Sequence, residues 1–229
     1  MRILLDETSS TTAGDDVTDD DLARLYAAPR REWLRINFVS TVDGAATGSD
    51  GLSGSINNAS DKRIFDLLRT LADGLVVGAG TLRAEGYAVP RLPLVVVSRR
   101  ADVPETLREA PPGRILVATW AGAQGIGEAR ELLGEEQVLV TGDHDMDLTR
   151  LRPMLAERGL HQLLSEGGPH LFHSMLEAGI VDELDLTLAP LMVAGGGPRI
   201  VVGAGMEVPT VPQVLLEEHG SLIGRWLVG

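Results

Sequence analysis

Ser165-Glu166-Gly167-Gly168-Pro169 is the stretch whose reading decides the fold. It follows His161-Gln162-Leu163-Leu164, a short apolar run of buried-strand length. It precedes Leu171 to Ala178, where apolar residues recur at helical spacing until Gly179. Strand, glycine turn and helix, in that order, aim backbone N–H groups and a helix N-terminus at an anion. Gly167 and Gly168 tolerate positive φ and leave space for a ligand against the backbone. Pro169 suits the first helical turn, where its missing N–H costs nothing. Glu166 is the odd member, because its charge would repel a phosphate. It is expected instead to accept hydrogen bonds from ribose or substrate hydroxyls. An ordinary tight turn would use the same two glycines, and the stretch alone does not separate the readings.

Working outward, the same grammar repeats. Gly74-Leu75-Val76-Val77-Gly78 is a fully apolar strand that turns through Ala79-Gly80-Thr81 into a helix. Thr81 there either meets a phosphate or caps the helix. Leu94 to Val97 ends in Ser98-Arg99-Arg100, which suits a ribose 2′-phosphate or, equally, a solvated loop. Strands at Ile115–Ala118 and Gln137–Val140 alternate with helices at Glu128–Leu133 and behind Asp147, through Leu148, Leu151, Met154 and Leu155. Trp33 to Ser40 is the first convincing strand, and it runs into Thr41-Val42-Asp43-Gly44. Asp43 is expected to stand at the open end of the sheet and to converge with Glu166, although Asp before Gly also serves simply to stabilise a turn. A glycine- and serine-rich loop spans 48–58, and Ser60-Asp61 opens an amphipathic helix with Ile64, Leu67, Leu68 and Leu71 on one face. Arg63 and Arg69 ride on it, and solvated helix charge is the plain reading of both. After Gly179 the rhythm changes. Val181–Leu188 alternates, a Gly/Pro-rich loop covers 190–212, and Gln213–His219 with Ser221–Val228 reads as an antiparallel hairpin turning near Gly220. At the other end, Met1–Asp16 is expected to be a loosely held arm, followed by a short helix capped by Thr18 with Asp19, Asp20 and Asp21 in its first turn. The fold class is therefore α/β, with a mainly parallel central sheet, helices on both faces and a C-terminal antiparallel hairpin.

The chain has 229 residues, enough for one α/β domain and too few for two comfortable ones. One domain is expected over 1–229, with an acidic arm and short helix in 1–30 and the core in 33–229. The 20 basic and 33 acidic residues give a formal charge of −13, which argues against nucleic acid and anionic membrane surfaces as partners. The absence of cysteine excludes disulfides, thiolate metal sites and a cysteine nucleophile. No apolar run reaches membrane-spanning length and no signal-peptide pattern opens the chain, so a cytoplasmic protein is expected. Gly-x-Gly-x-x-Gly after the first strand, a Walker lysine and Gly-x-Ser-x-Gly are all missing. His170 and His173 share a helix at i, i+3, but no third ligand is evident, and no metal is expected.

Taken together and in order, Asn37-Phe38-Val39-Ser40-Thr41-Val42-Asp43-Gly44, Val77-Gly78-Ala79-Gly80-Thr81, Val97-Ser98-Arg99, Ser165-Glu166-Gly167-Gly168-Pro169 and Gly179-Ile180-Val181-Asp182-Glu183-Leu184, with Ala189-Pro190 and Gly195-Gly196-Gly197, make the chain resemble the reductase domain of riboflavin biosynthesis. The resemblance covers about residue 33 to the C-terminus. It implies a dihydrofolate-reductase-like fold and NADPH-dependent reduction of the ribosyl group of 5-amino-6-(5-phosphoribosylamino)uracil, or of its diamino precursor, to ribityl. A dihydrofolate or pteridine reductase of the same fold, or a silent nucleotide-binding module, are the rival expectations. The family's zinc deaminase partner domain is not expected, and the chain looks like the stand-alone actinobacterial members. The resemblance also implies a homodimer, paired through the late strand and hairpin.

Position by position, the resemblance implies that Gly78, Ala79, Gly80 and Thr81 meet the cofactor's phosphates and ribose. Ser98 and Arg99 would take the 2′-phosphate, and Gly167, Gly168, Pro169, His170 and Leu171 the pyrophosphate. The substrate side would comprise Asn37, Ser40, Ser53, Asp61, Arg69 and Glu85, with Arg69 neutralising the ribose phosphate and Ser53 adding a hydrogen bond. Asp43 and Glu166 are the catalytic candidates, to position hydroxyls and relay the proton that accompanies hydride transfer. Two positions depart from the family's pattern: Asn37 stands where the bifunctional enzymes have lysine, and Glu85 where they have aspartate.

Overall fold

The computed structural model describes residues 1–8 and 12–229. One ten-stranded sheet runs through it. In chain order the strands are β1 (Arg2–Asp6), β2 (Trp33–Thr41), β3 (Gly74–Gly78), β4 (Leu94–Val97), β5 (Ile115–Trp120), β6 (Val138–Gly142), β7 (Gln162–Ser165), β8 (Glu183–Ala189), β9 (Thr210–Glu218) and β10 (Ser221–Val228). Across the sheet the order is β1-β9-β10-β8-β2-β7-β3-β4-β5-β6. From β8 to β6 every pairing is parallel, and the three pairings that join β8, β10, β9 and β1 are antiparallel. The expected architecture is thus the one the chain forms.

Parallel strands need covering on both faces, and the alternation of β3 shows how that is met. Leu75 and Val77 face one core, which is closed by α1 (Asp19–Leu25), α2 (Ala59–Thr70), α3 (Ala79–Ala84) and α4 (Ile126–Leu133). Val76 faces the other core, under α5 (Leu151–Ala156) and α6 (Pro169–Glu177). The helix starts follow capping chemistry. Thr18 and Asp21 form a reciprocal capping box at α1, and the Asn58 carboxamide accepts from the N–H groups of Ser60 and Asp61 at α2, both at 3.0 Å.

The expected loose arm at the N-terminus is corrected by the structure. Residues 2–6 form β1, hydrogen-bonded to β9 at the sheet edge, with Ile3 wholly buried. The apolar run at the very start of the chain supplies that strand, and the acidic residues that follow obscured it. Part of the expected arm, residues 9–11, lies outside the described residues. Among the described residues no helix is long and apolar enough to cross a membrane.

The α2 side of β2 and β8 is polar where the other faces are apolar. Arg35 pairs in register with Glu183, Asn37 with Asp185 and Val39 with Thr187, so these side chains share one face. Glu183 is completely buried and accepts from Trp33 Nε1 at 2.8 Å and from Arg225 Nε at 2.9 Å, with Arg35 Nε at 3.6 Å. The indole and Arg225 both bond Oε2, while Oε1 has only the Arg35 charge beside it and no hydrogen bond. Burial, and then the charge of Glu183, push the neighbouring Asp185 carboxyl well above the usual carboxylate range. Removing the central acid should be costly, because two guanidinium groups would be left inside without their counter-charge. Glu183→Ala is expected to lower unfolding free energy by about 3–5 kcal/mol, read as a fall in the urea midpoint at unchanged slope.

Candidate active site

Open α/β sheets bind ligands beyond the carboxyl ends of their strands, and here β2, β3 and β7 end together. The Gly78 N–H donates to Gly167 O at 3.0 Å, which locks the turn after β3 to the turn after β7. Gly167 has φ +99°, which favours glycine, and the Gly167–Gly168 peptide is cis. A Cβ on Gly168 would collide with the Thr81 hydroxyl, so the close approach of the two turns requires a glycine there. Thr81 sits inside α3 rather than at its cap, which is Gly78.

Two concavities meet along these turns. The first is a cavity of about 380 Å³ between α2, β2 and the loop before α2, with Asn37, Ser53, Asp61, Glu85 and Glu166 in its wall. The second, about 520 Å³, is a groove past the ends of β3 and β4, bordered by Val97, Arg99, Asp147 and Thr149. Gly78, Gly80, His170 and Leu171 line both. Arg99 is exposed and forms no ion pair among the described residues, so its charge is available to the groove.

Several expected roles change once contacts are known. Glu166 lines the cavity, but its carboxylate is already engaged within the protein. Arg69 grips it bidentately, Nε to Oε1 at 2.6 Å and Nη2 to Oε2 at 2.8 Å. Burial pushes the Glu166 carboxyl up, against the opposing pull of Arg69. Arg69 in turn stacks on the Phe65 ring at 4.3 Å and donates to the Tyr87 hydroxyl. It is half-buried, engaged by Glu166 and Tyr87, and not among the residues that line the cavity, so the expected phosphate contact is not formed by a free guanidinium. Glu85 accepts from the Ser53 N–H at 3.1 Å and so holds the cavity's loop against α3. Ser40 is buried and donates to the Thr41 carbonyl, away from the cavity. Ser98 is buried too, and its hydroxyl accepts from the Asp102 N–H at 3.1 Å as part of a turn. His173 is also committed, to Ala204 O at 2.8 Å and Glu177 at 3.2 Å.

Asp43 is the largest correction. It is exposed and lines neither concavity, whereas Glu166 lines the cavity. Its carboxylate accepts from the Thr41 hydroxyl and from the N–H groups of Val193, at 3.3 Å, and Ala194, at 2.8 Å. The Thr41 hydroxyl first, and then the Ala194 N–H, hold it below the usual carboxylate range. The turn chemistry weighed against catalysis at this position is what the chain uses, extended to a second loop. One feature escaped the sequence reading altogether. No lysine or arginine among the described residues lines the cavity, whose charged groups are Asp61, Glu85 and Glu166.

The RibD C-terminal domain model matches residues 32–227. The chain belongs to that family. Among its relatives, the 2,5-diamino-6-ribosylamino-4(3H)-pyrimidinone 5′-phosphate reductase of Methanothermobacter thermautotrophicus is 32% identical over 197 residues, covering 77% of this chain and 87% of the relative. The enzyme of the same name from Aquifex aeolicus is 30% identical over 220 residues, covering 86% and 97%. The crystal structure of a pyrimidine reductase-like protein from Corynebacterium diphtheriae superposes with a TM-score of 0.78 at 24% identity, over 93% of this chain and 99% of that one, and so shares the fold. The turns that join cavity to groove lie inside the matched segment of this RibD-type domain.

Asp43→Asn tests the corrected placement. The amide still accepts, but more weakly, from the 193–194 N–H groups. Turnover of the folded protein is expected to stay near wild type while the melting temperature falls. A large loss of turnover at unchanged melting temperature would return Asp43 to the reaction.

Proposed function

We propose that this chain is an NADPH-dependent reductase of riboflavin biosynthesis, acting in the cytoplasm on a phosphoribosylamino-pyrimidine. It would convert the ribosyl group of the diaminopyrimidinone phosphate, or of 5-amino-6-(5-phosphoribosylamino)uracil, to ribityl. The observation that carries this reading is the junction of cavity and groove at Gly78–Thr81 and Gly167–Leu171. A substrate in one and a dinucleotide in the other would meet there. The names of the relatives supply the substrate class.

The groove fits a dinucleotide. The Gly78 N–H is taken by Gly167 O, which leaves the first-turn N–H groups of α3, at Ala79 and Gly80, for a phosphate, and the unpaired Arg99 at the end of β4 suits a 2′-phosphate. When bound, NADPH supplies a hydride. In open-chain form the ribosylamine is an imine, so hydride adds at C1′ and a proton at nitrogen, giving the ribitylamine. The protein's part is to place that carbon at the junction and keep water away. Phe38 and Phe65 in the cavity wall serve exclusion, and the Arg69–Glu166 pair fixes the β7 turn against α2. A pteridine reductase is the second reading. It draws on the cavity's lack of lysine and arginine, since a substrate without a phosphate needs no cation there.

We also propose a homodimer. Leu186 and Leu188 of β8, Leu215 of β9, and Leu222 and Trp226 of β10 are half-buried or exposed along one side of the sheet. The Trp226 ring lies over Gly224, which flattens the patch. Sedimentation velocity at micromolar concentration is expected to give a dimer, and a stable monomer would refute it.

The functional test is NADPH oxidation with the diaminopyrimidinone phosphate, the uracil analogue and dihydrofolate in parallel. Turnover of a ribosylamino-pyrimidine is expected, and reduction of dihydrofolate alone would favour the second reading. In Arg99→Ala the affinity for NADPH should fall about ten- to a hundred-fold, the loss of one charge-assisted contact, with NADH nearly unchanged. Equal loss for both cofactors would place Arg99 elsewhere.

A further inference from the structure

We propose that the Asp61 carboxyl, in the wall of the cavity between α2 and β2, reads the substrate's heterocycle by accepting a hydrogen bond from an exocyclic amino group, and so selects the diaminopyrimidinone over the uracil. The inference rests on the pyrimidine-reductase reading and names the residue that decides between its two substrates.

Asp61 is 3% exposed and belongs to the cavity wall. Its Oδ1 is buried and has no hydrogen-bond partner. The rest of the residue is held firmly. Its N–H donates to the Asn58 carboxamide at 3.0 Å, and the Thr187 hydroxyl of β8 hydrogen-bonds the carboxyl group. The residue is thus held by its backbone and by Thr187, while its Oδ1 is left without a partner. An unmet buried carboxylate oxygen is costly, and native proteins rarely keep one without a use.

No cation meets that need. On α2 itself, Lys62 pairs with Asp66, Arg63 with Asp19 and Glu218, and Arg69 with Glu166. The cavity wall holds neither lysine nor arginine among the described residues. Burial pushes the Asp61 carboxyl up, with the Thr187 bond acting the other way. The first turn of α2, twelve residues long, favours negative charge at this position. A ligand with an N–H donor would complete the site.

The two pyrimidines differ at C2, where one carries an amino group and the other a carbonyl. An amino group donates to Oδ1. A carbonyl brought to the same place sets oxygen against oxygen, and a site built to accept from an N–H rejects an analogue that lacks it. Asn37 and Phe65, also in the wall, add a neutral polar group and an aromatic face, which suit a flat heterocycle better than a free phosphate.

The test compares kcat and KM for both pyrimidine phosphates in the wild type, Asp61→Asn and Thr187→Val, with melting temperatures alongside. The wild type should favour the diaminopyrimidinone. Asp61→Asn should lose about ten- to a hundred-fold for that substrate, mainly in KM. It should lose little or nothing for the uracil, whose carbonyl the new amide can serve. Its melting temperature should hold or rise, because a buried unmet oxygen is relieved. Thr187→Val should shift the preference the same way by less, and it decides the matter if Asp61→Asn fails to fold. An unchanged preference in the folded variants, with both substrates falling by one factor, would overturn this inference while leaving the reductase reading intact. A wild type that reduces neither pyrimidine would overturn both.

Discussion

The bidentate pair between Arg69 and Glu166 is the constraint on which the site depends. It joins the last turn of α2 to the turn after β7, across 97 residues of sequence. Both oxygens of the acid are taken and the guanidinium is stacked on Phe65, so neither side chain is free to wander. Its energetic worth is bounded by its setting. The acid is buried but the arginine side chain is 31% exposed. The pair therefore falls nearer the 1.5–3 kcal/mol of a charged hydrogen bond than the cost of breaking a fully buried pair. Its larger effect is geometric. The cavity is the space between the elements it ties together, and the two glycine turns keep their contact because one of them is anchored to α2.

A second polar system lies on the same side of the sheet. Arg35, Glu183 and Arg225 form a fully buried cluster under α1, and the row continues through Asp185 and Asn37 to Thr187 and Asp61. Along this row the groups differ in how far they are met: Glu183 has two arginines but no hydrogen bond to Oε1, both Asp185 oxygens lack hydrogen-bond partners, and Asp61 keeps one unmet oxygen at the cavity. The structural end of the row is stable without a ligand. The cavity end is the part that a ligand can complete.

The sequence made the strands and their order legible because parallel strands buried on both faces read as unbroken apolar runs, as at Leu75–Val77 and Leu94–Val97. It also located the glycine turns, since few residues other than glycine fit φ +99° or the contact against Thr81. Side-chain direction was not legible. Asp43 and Glu166 both follow strands in this sheet, yet one turns out to a loop and the other in to Arg69, and nothing local distinguishes them. Arg69 looked like solvated helix charge or a phosphate ligand because its partner lies far away in sequence. β1 was missed for a similar reason. A five-residue strand is fixed by its pairing with β9, more than 200 residues later, rather than by its own pattern.

The grip of Asp43 on the backbone of residues 193 and 194 reaches beyond the turn it closes. The Val42 N–H donates to Leu191 O at 2.9 Å, and the Ala46 N–H donates to Pro198 O at 2.8 Å. The long loop after β8 is thus stitched at three points to the segment after β2. Pro198, carried by that loop, forms part of the cavity wall. The two segments therefore form one bonded unit after β2 and β8. Four hydrogen bonds join the two segments, so the Pro198 side of the cavity wall keeps its shape through both of them and not through either loop alone.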